Sequence, residues 1–180
     1  MDPERATILA DYARAEEQLR SWLAQATPSD LGRNSNGTRW TNEELLFHMV
    51  FGYMVVGALL PLVRILGRIP RPWAREFATV LNAVTGPFDL VNYWGSMAAA
   101  VLYNRHRMGR KLHRSQAALG RRLARESPSS LAVSMPFPTR WDPFFTNDMT
   151  LLEVYAYPML HFDFHAKQLD LPPRQPADPV

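Results

Sequence analysis

Cysteine is absent from this chain of 180 residues. Its absence excludes a disulfide framework, a cysteine-based zinc site and a cysteine nucleophile, so any thiol chemistry would use a thiol from another molecule. The chain also lacks a strong excess of one charge, because 20 Lys and Arg stand against 17 Asp and Glu. This balance does not favour nucleic acid as a partner. The opening MDPERATIL lacks the basic and then apolar stretches of a signal peptide, which predicts a cytoplasmic protein.

Long apolar runs are scarce, with one exception in the first half of the chain. Residues 45–63 contain no Asp, Glu, Lys or Arg, and about 20 apolar residues can span a bilayer. The run includes His48 and Pro61, and a mean hydropathy of −0.22 shows that the rest of the chain is polar. A core helix surrounded by other helices is therefore favoured over a membrane-spanning one.

Apolar residues recur at three- and four-residue steps in four stretches, and this spacing predicts four amphipathic helices. These stretches are residues 2–26, 41–60, 88–126 and 148–169. Glycines within the third stretch could bend it. No stretch is convincing as a strand, and no internal repeat is present.

The stretch between the second and third predicted helices, residues 61–87, is rich in proline and glycine and predicts short helices joined by turns. The length of the chain fits one core. We therefore expect a single all-α domain over residues 1–170, a four-helix bundle with a long crossover insertion between helices 2 and 3. Residues 171–180 are expected to form a disordered tail.

Two helix starts carry the Ser/Thr-x-x-Glu capping box, in which each side chain satisfies a free backbone N–H group. Thr41 with Glu44 predicts the start of the second helix, and Thr150 with Glu153 predicts the start of the fourth. The stretches before them, residues 27–40 and 127–147, are typical of loops. The segment MPFPTRWDPFF within the second loop is expected to form a pocket wall or to pack across the end of the bundle.

Three of the five histidines form a candidate metal site. His161 and His165 are four residues apart on the fourth predicted helix, so their rings leave the same side of the helix and can bind one ion. His48 lies in the most apolar helix, where an unpartnered imidazole is costly. A hydrogen bond to a carbonyl group or a tyrosine is the more usual explanation for a lone buried histidine. The alternatives are therefore hydrogen-bonded core histidines or a three-histidine site built from facing helices.

Two segments that contain these histidines, TRWTNEELLFHM (38–49) and RWDPFFTNDMTLLEVYAYPMLHFDFHAKQL (140–169), resemble the DinB-like superfamily of DinB/YfiT-type metalloenzymes. The resemblance implies a four-helix bundle in which His48, His161 and His165 bind a divalent metal ion. Residues 61–126 carry none of the family motif.

The superfamily includes mycothiol- and bacillithiol-dependent enzymes, such as maleylpyruvate isomerase and thiol S-transferases. The resemblance therefore implies a small-molecule substrate and a low-molecular-weight thiol activated by the metal ion. In the isomerase branch one ligand of the last pair is a glutamate, whereas this chain has two histidines, so isomerase activity is not itself implied. We expect thiol S-transfer or a related lyase or isomerase step.

Three imidazoles leave an open position on a zinc-like ion, which can then activate a bound water or thiol. Zinc is the expected ion, with nickel and iron as alternatives, because imidazole binds all of them.

Glu44 lies one turn before His48 and is the candidate catalytic carboxylate; its alternative role is capping alone. A metal-assisted hydrolase is the alternative reaction, and a non-catalytic binding or membrane-associated scaffold is the alternative class of protein.

The segment 105–125 carries eight basic residues and no acidic residue. It is expected to be a solvated helix face or to contact an anionic membrane surface, and the lack of aromatic residues within it argues against nucleic acid.

Tyr157 and Phe164 are expected on the outer side of the fourth helix, in a homodimer interface or under the preceding loop. Asp163 is expected to be solvated or to pair with Arg140.

Overall fold

The computed structural model describes residues 2–171 and is almost entirely helical. Within that range it contains eight helices and one two-stranded antiparallel sheet. In chain order they are α1 (Pro3–Gln25), α2 (Pro28–Gly32), α3 (Asn42–Leu66), α4 (Arg71–Ala83), α5 (Thr85–Leu102), α6 (Met108–Leu123), α7 (Pro128–Leu131), β1 (Ser134–Pro136), β2 (Asp148–Thr150) and α8 (Leu151–Ala166). The expected all-α class is confirmed. The expected tail lies outside the described residues apart from Leu171, which packs against the core.

The core lies between the long helices. α3 contacts α8, α6 and α5, and α1 contacts α6 and α8. Large side chains of α3 and α8 are fully buried where these helices meet, among them Phe47, Tyr53, Tyr155 and Phe162. Among residues 2–171, α3 is the helix long and apolar enough to cross a membrane, a property that core helices share. Its central position therefore makes α3 the element on which the others pack.

Proline does not end α3 where the sequence analysis expected it to end. The helix continues past Pro61 to Leu66. A proline inside a helix leaves the carbonyl four residues earlier without its helical partner. That carbonyl belongs to Gly57, and the guanidinium of Arg122 on α6 donates to it over 2.8 Å. The hydrogen bond from Arg122 replaces the missing one, so the prediction of an end near residue 60 is wrong.

The long third helix expected over residues 88–126 is two helices, α5 and α6, separated at residues 103–107. The break does not fall at a glycine. The N–H group of Arg105 donates to Oε1 of Glu43 on α3 over 2.8 Å, and the N–H group of Arg107 donates to the carbonyl of Asn104. These bonds satisfy backbone donors outside a helix, which allows the chain to turn there. The crossover thus consists of α4 and α5.

The predicted loops contain more structure than expected. Residues 27–40 include α2, and residues 127–147 include α7 and β1. Strand β1 pairs with β2, with Met135 opposite Met149. The fourth predicted helix therefore begins at Leu151 rather than at Asp148, with Thr150 as its N-cap and the expected capping box present. This small sheet ties both ends of the 137–147 segment to the start of α8.

The crossover helices expose an unusual amount of apolar surface, here called the α4–α5 apolar face. Trp73 and Trp94 are 70% and 57% exposed. On each helix the exposed apolar side chains recur at helical spacing and form a stripe. The face consists of Trp73, Phe77, Val80, Val84, Leu90, Trp94, Val101 and Leu102.

The capping box of α3 yields a stability prediction. The hydroxyl of Thr41 accepts the N–H group of Glu44, and Glu44 accepts the N–H group of Thr41. We expect Thr41→Ala to lower the free energy of unfolding by about 1 kcal/mol, which corresponds to a melting temperature lower by about 2–4 °C. Thr79→Ala, on the exposed surface of α4, is the control and should change stability by less than about 0.5 kcal/mol. Equal melting temperatures for the two variants would contradict the role of the cap.

Candidate metal centre

The packing of α3 against α8 brings the three candidate ligands together. Thr41 fixes the start of α3, and His48 follows in its second turn. His161 and His165 lie on consecutive turns of α8, on the side that meets α3. One ring nitrogen of each histidine lies within 4.8 Å of the corresponding nitrogens of the other two. The three residues singled out in the sequence therefore form one cluster, although His48 is more than 110 positions from the other two along the chain.

The distances in the cluster suit a metal ion. Nε2 of His48 and Nε2 of His161 are 3.1 Å apart. Two nitrogens bound to one tetrahedral zinc ion at about 2.0–2.1 Å would be about 3.3 Å apart. The spacing of this pair is therefore close to that of a coordinated pair.

The outer ring nitrogens of two histidines have hydrogen-bond partners. Nδ1 of His165 is 2.6 Å from Oε1 of Gln168, and Nδ1 of His48 is 3.1 Å from the hydroxyl of Ser96 on α5. An amide oxygen can only accept, so Nδ1 of His165 carries a proton and its Nε2 has the free lone pair. Such outer partners orient metal-binding imidazoles.

His161 has a different environment from the other two. Its Nδ1 is buried and has no hydrogen-bond partner within the described part of the chain. The ring lies against Gly52 of α3, where an added Cβ would be 2.9 Å from Nδ1. Without an ion, Nε2–H of His161 can donate to Nε2 of His48. With an ion, both Nε2 lone pairs can be directed at it. The donor set therefore fits a metal ion and also fits the hydrogen-bonded alternative.

Burial keeps the three imidazoles neutral. It lowers the pKa of His48 to about 3, with a smaller contribution from the neighbouring His165. It lowers the pKa of His161 well below the ordinary value, assisted by His48 and His165. The pKa of His165 is also lowered by burial, although Gln168 and Asp142 oppose the change. Neutral imidazole is the form that binds metal ions.

Several residues around the cluster were not identified from the sequence. The indole of Trp40 stacks on the imidazole of His48 with 4.3 Å between ring centroids. Tyr93 stacks in turn on Trp40, and Ser96 reaches His48 from the same helix, α5. Trp40 could have been suspected because it lies next to the capping box. Nothing in the sequence placed α5 beside α3.

Glu44 does not join the cluster. Its Oε2 accepts the N–H group of Thr41 over 2.8 Å and the Thr41 hydroxyl over 3.1 Å. The expected capping box is thus confirmed, and the group of possible ligands within residues 2–171 consists of the three histidines. A catalytic role for Glu44 remains a prediction.

A cavity of about 620 Å³ adjoins the cluster. Its walls come from α3, α4, α5, α8 and the segment MPFPTRWDPFF. The expectation that this segment forms a pocket wall is confirmed, with Phe137, Trp141 and Phe144 among the lining residues. The three histidines line the same cavity, so a small molecule within it would reach them.

The structure decides between the alternatives for the outer side of the fourth helix. Tyr157 is buried under the preceding loop, as one alternative expected, and its hydroxyl donates to Asp142 of that loop over 2.7 Å. Phe164 is partly exposed as expected and contacts Phe144. Asp163 accepts two hydrogen bonds of 2.9 Å from Arg14 on α1 and does not pair with Arg140.

The remaining histidines and the basic segment lie away from the cluster. His113 is exposed on α6, with its ring 3.1 Å from Glu16 on α1. His106 lies beside Arg105 in the turn before α6. Most arginines of the 105–125 segment are exposed. A contact of this segment with an anionic surface remains a prediction.

Comparison of the chain with protein-family models, with curated proteins and with solved structures finds no match in any of the three. The resemblance to the DinB-like superfamily therefore rests on the quoted segments and on the cluster.

The lowered histidine pKa values predict how the metal-free protein responds to acid. Below about pH 6.5 the unfolded chain binds protons at His48 and His161 that the native protein does not bind. Native stability should therefore fall as the pH decreases from about 6.5 towards the lower folded pKa, by up to about 1.4 kcal/mol per pH unit for each histidine.

The measurement is the melting temperature of chelator-treated protein between pH 7.5 and pH 5. His161→Gln should decrease the pH dependence, because it removes one of the buried imidazoles whose pKa is lowered. The prediction fails if the wild-type protein and His161→Gln lose stability equally as the pH falls.

Proposed function

We propose that the protein is a metal-dependent enzyme of the DinB-like type. In this proposal α1, α3, α6 and α8 form the four-helix bundle of that superfamily, and α4 and α5 are an insertion. His48, His161 and His165 bind one divalent ion, with zinc expected and nickel or iron as alternatives. The observation that carries the proposal is the convergence of three neutral imidazoles, two of them buried and His165 partly buried, in the wall of one cavity.

The residues around the cluster have different roles: two orient histidine rings, and one covers a histidine. Gln168 holds the ring of His165, and Ser96 holds the ring of His48. Trp40 covers His48 and separates it from solvent. When bound, a divalent ion with an open position would lower the pKa of a bound water or thiol. The apolar cavity limits water near the reacting groups and strengthens electrostatic interactions there.

Thiol S-transfer or a related lyase or isomerase step is the reaction we propose. The thiol comes from a second molecule, since the chain contains no cysteine. A metal-assisted hydrolysis is the alternative. Incubation of electrophiles and esters with the protein, with and without a low-molecular-weight thiol, separates the two: conjugates that need the thiol support transfer, and thiol-independent hydrolysis products support the alternative.

Metal content tests the proposal directly. Protein purified without a histidine tag should contain about one equivalent of a divalent ion, and His161→Ala should contain almost none because one ligand is lost. The measurement is elemental analysis after dialysis. His113→Ala, which removes an exposed histidine outside the cluster, is the control. An unchanged, substoichiometric content in all three proteins would contradict the metal site.

Two glycines of α3 provide a matched pair of variants that keep every ligand. An added Cβ at Gly52 would press on the His161 ring, whereas at Gly57 it would meet nothing within 4 Å. Gly52→Ala should therefore weaken metal binding at least tenfold, and Gly57→Ala should retain it. The two changes carry the same gain in helix propensity, so a difference between them reports on the histidine cluster.

A second candidate function is association with an anionic membrane surface, favoured by the α4–α5 apolar face. Two exposed tryptophans on adjacent amphipathic helices are typical of interfacial segments. Between residues 64 and 110 the sequence has seven arginines, of which Arg64 and Arg71 pair with Glu126 and Asp148, and two acidic residues, Glu76 and Asp89. Arg68 and Arg75 flank the face near α4, and Arg107 lies just beyond α5. This excess of positive charge complements anionic lipid headgroups.

Co-sedimentation with vesicles tests this second candidate. We expect the protein to bind vesicles containing phosphatidylglycerol more strongly than vesicles of phosphatidylcholine alone, with binding that falls as salt rises. The double variant Trp73→Ser/Trp94→Ser should lose binding several-fold. Leu160→Ser, at an exposed apolar residue on α8, is the control. If the tryptophan variant instead converts a dimer to a monomer and vesicles never bind, a second copy of the chain covers the face.

A further inference from the structure

The cavity beside the histidines has a marked division between a polar end and an apolar remainder. Its volume of about 620 Å³ lies within the range of small-molecule sites. His48, His161 and His165 lie together at one end. Besides them, α3 contributes Phe51, Val55, Leu59, Leu62 and Val63 to the wall.

The opposite walls are equally apolar. Phe77 and Leu81 come from α4, and the segment 135–145 contributes aromatic rings that include Phe137, Phe144 and Phe145. No Lys or Arg is among the lining residues in the part of the chain that the structure describes. A phosphate, sulfate or carboxylate group would therefore find no cationic side chain away from the histidine end.

Asp142, Tyr157 and Trp141 of these walls are engaged in hydrogen bonds, and the side chain of Asn92 on α5 is a further polar lining group. The hydroxyl of Tyr157 donates to Asp142 over 2.7 Å, and the N–H group of Phe144 donates to the same carboxylate over 2.9 Å. The indole N–H of Trp141 donates to the carbonyl of Leu81 over 2.8 Å. Burial also raises the pKa of Asp142. These contacts leave few partners for the several hydroxyl groups of a sugar, which would lose hydrogen bonds to water on entering.

We propose that this cavity binds an uncharged alkyl or aryl group, with the reacting atom of the substrate at the histidine end. The substrate is thus an apolar molecule with one polar or electrophilic end. The apolar part of the cavity excludes polyhydroxylated or multiply charged groups, so a hydrophilic thiol in the proposed transfer would meet the substrate only at the histidines. The assignment of this molecule as the substrate rests on the proposed function, whereas its binding requires no metal ion.

Binding of N-phenyl-1-naphthylamine, an uncharged aromatic probe whose fluorescence rises in apolar surroundings, tests the proposal. We expect saturable binding of one probe per chain, unchanged after metal removal by a chelator. Val55→Trp fills the cavity and should weaken binding at least tenfold. Val80→Trp is the matched control, because Val80 lies on the exposed face of α4 and does not line the cavity. Leu59→Trp is a second filling variant if Val55→Trp does not fold, as judged by circular dichroism.

Competition then defines the class of ligand. 1-Octanol should displace the probe, and glutathione, which carries several charges, should not displace it at the same concentration. Equal probe affinity in Val55→Trp and Val80→Trp, or displacement by glutathione before 1-octanol, would overturn the proposal. Probe binding in a protein that never takes up metal would leave this site intact and refute only the proposed function. Stoichiometric metal without probe binding would refute only the apolar site.

Discussion

The contact between α3 and α8 is the interaction on which the candidate site depends. It places His48 within 3.1 Å of His161, and that approach requires Gly52 at the point where the His161 ring meets α3. Any larger side chain at Gly52 would have to move the ring or separate the helices. The geometry of the site is therefore determined by core packing, and the capping boxes at Thr41 and Thr150 fix where along each helix the histidines lie.

Burial of the cluster has an electrostatic cost that the surrounding groups only partly offset. His48 and His161 are 4% and 5% exposed, and desolvation strongly disfavours their charged forms. Ser96 and Gln168 satisfy two outer ring nitrogens, but Nδ1 of His161 has no partner among the described residues. Placing three polar rings in an apolar core lowers the free energy of unfolding, unless binding of a further group to the rings compensates for the loss. This is the physical reason to favour a bound ion over a purely structural cluster.

Local sequence signals predicted the features that depend on neighbouring residues. The capping boxes of α3 and α8 depend on residues a few positions apart, and they were predicted correctly. Helical periodicity predicted the helical character of the four stretches but not the break between α5 and α6. The extension of α3 past Pro61 was not predictable, because it depends on Arg122 from another helix. The contact between Ser96 and His48 was missed for the same reason. It depends on where α5 lies relative to α3, and the periodicity of α5 does not indicate that position.

Helix α4 contributes apolar side chains to two different surfaces of the molecule. α4 supplies Phe77 and Leu81 to the cavity, and Phe77 also belongs to the exposed α4–α5 apolar face. A single helix therefore has apolar groups directed both into the cavity and towards the surroundings. An exposed apolar stripe of this kind is typical of a contact surface. Because Phe77 is shared by the cavity lining and the α4–α5 apolar face, a molecule that covered this face would also contact a wall residue of the cavity.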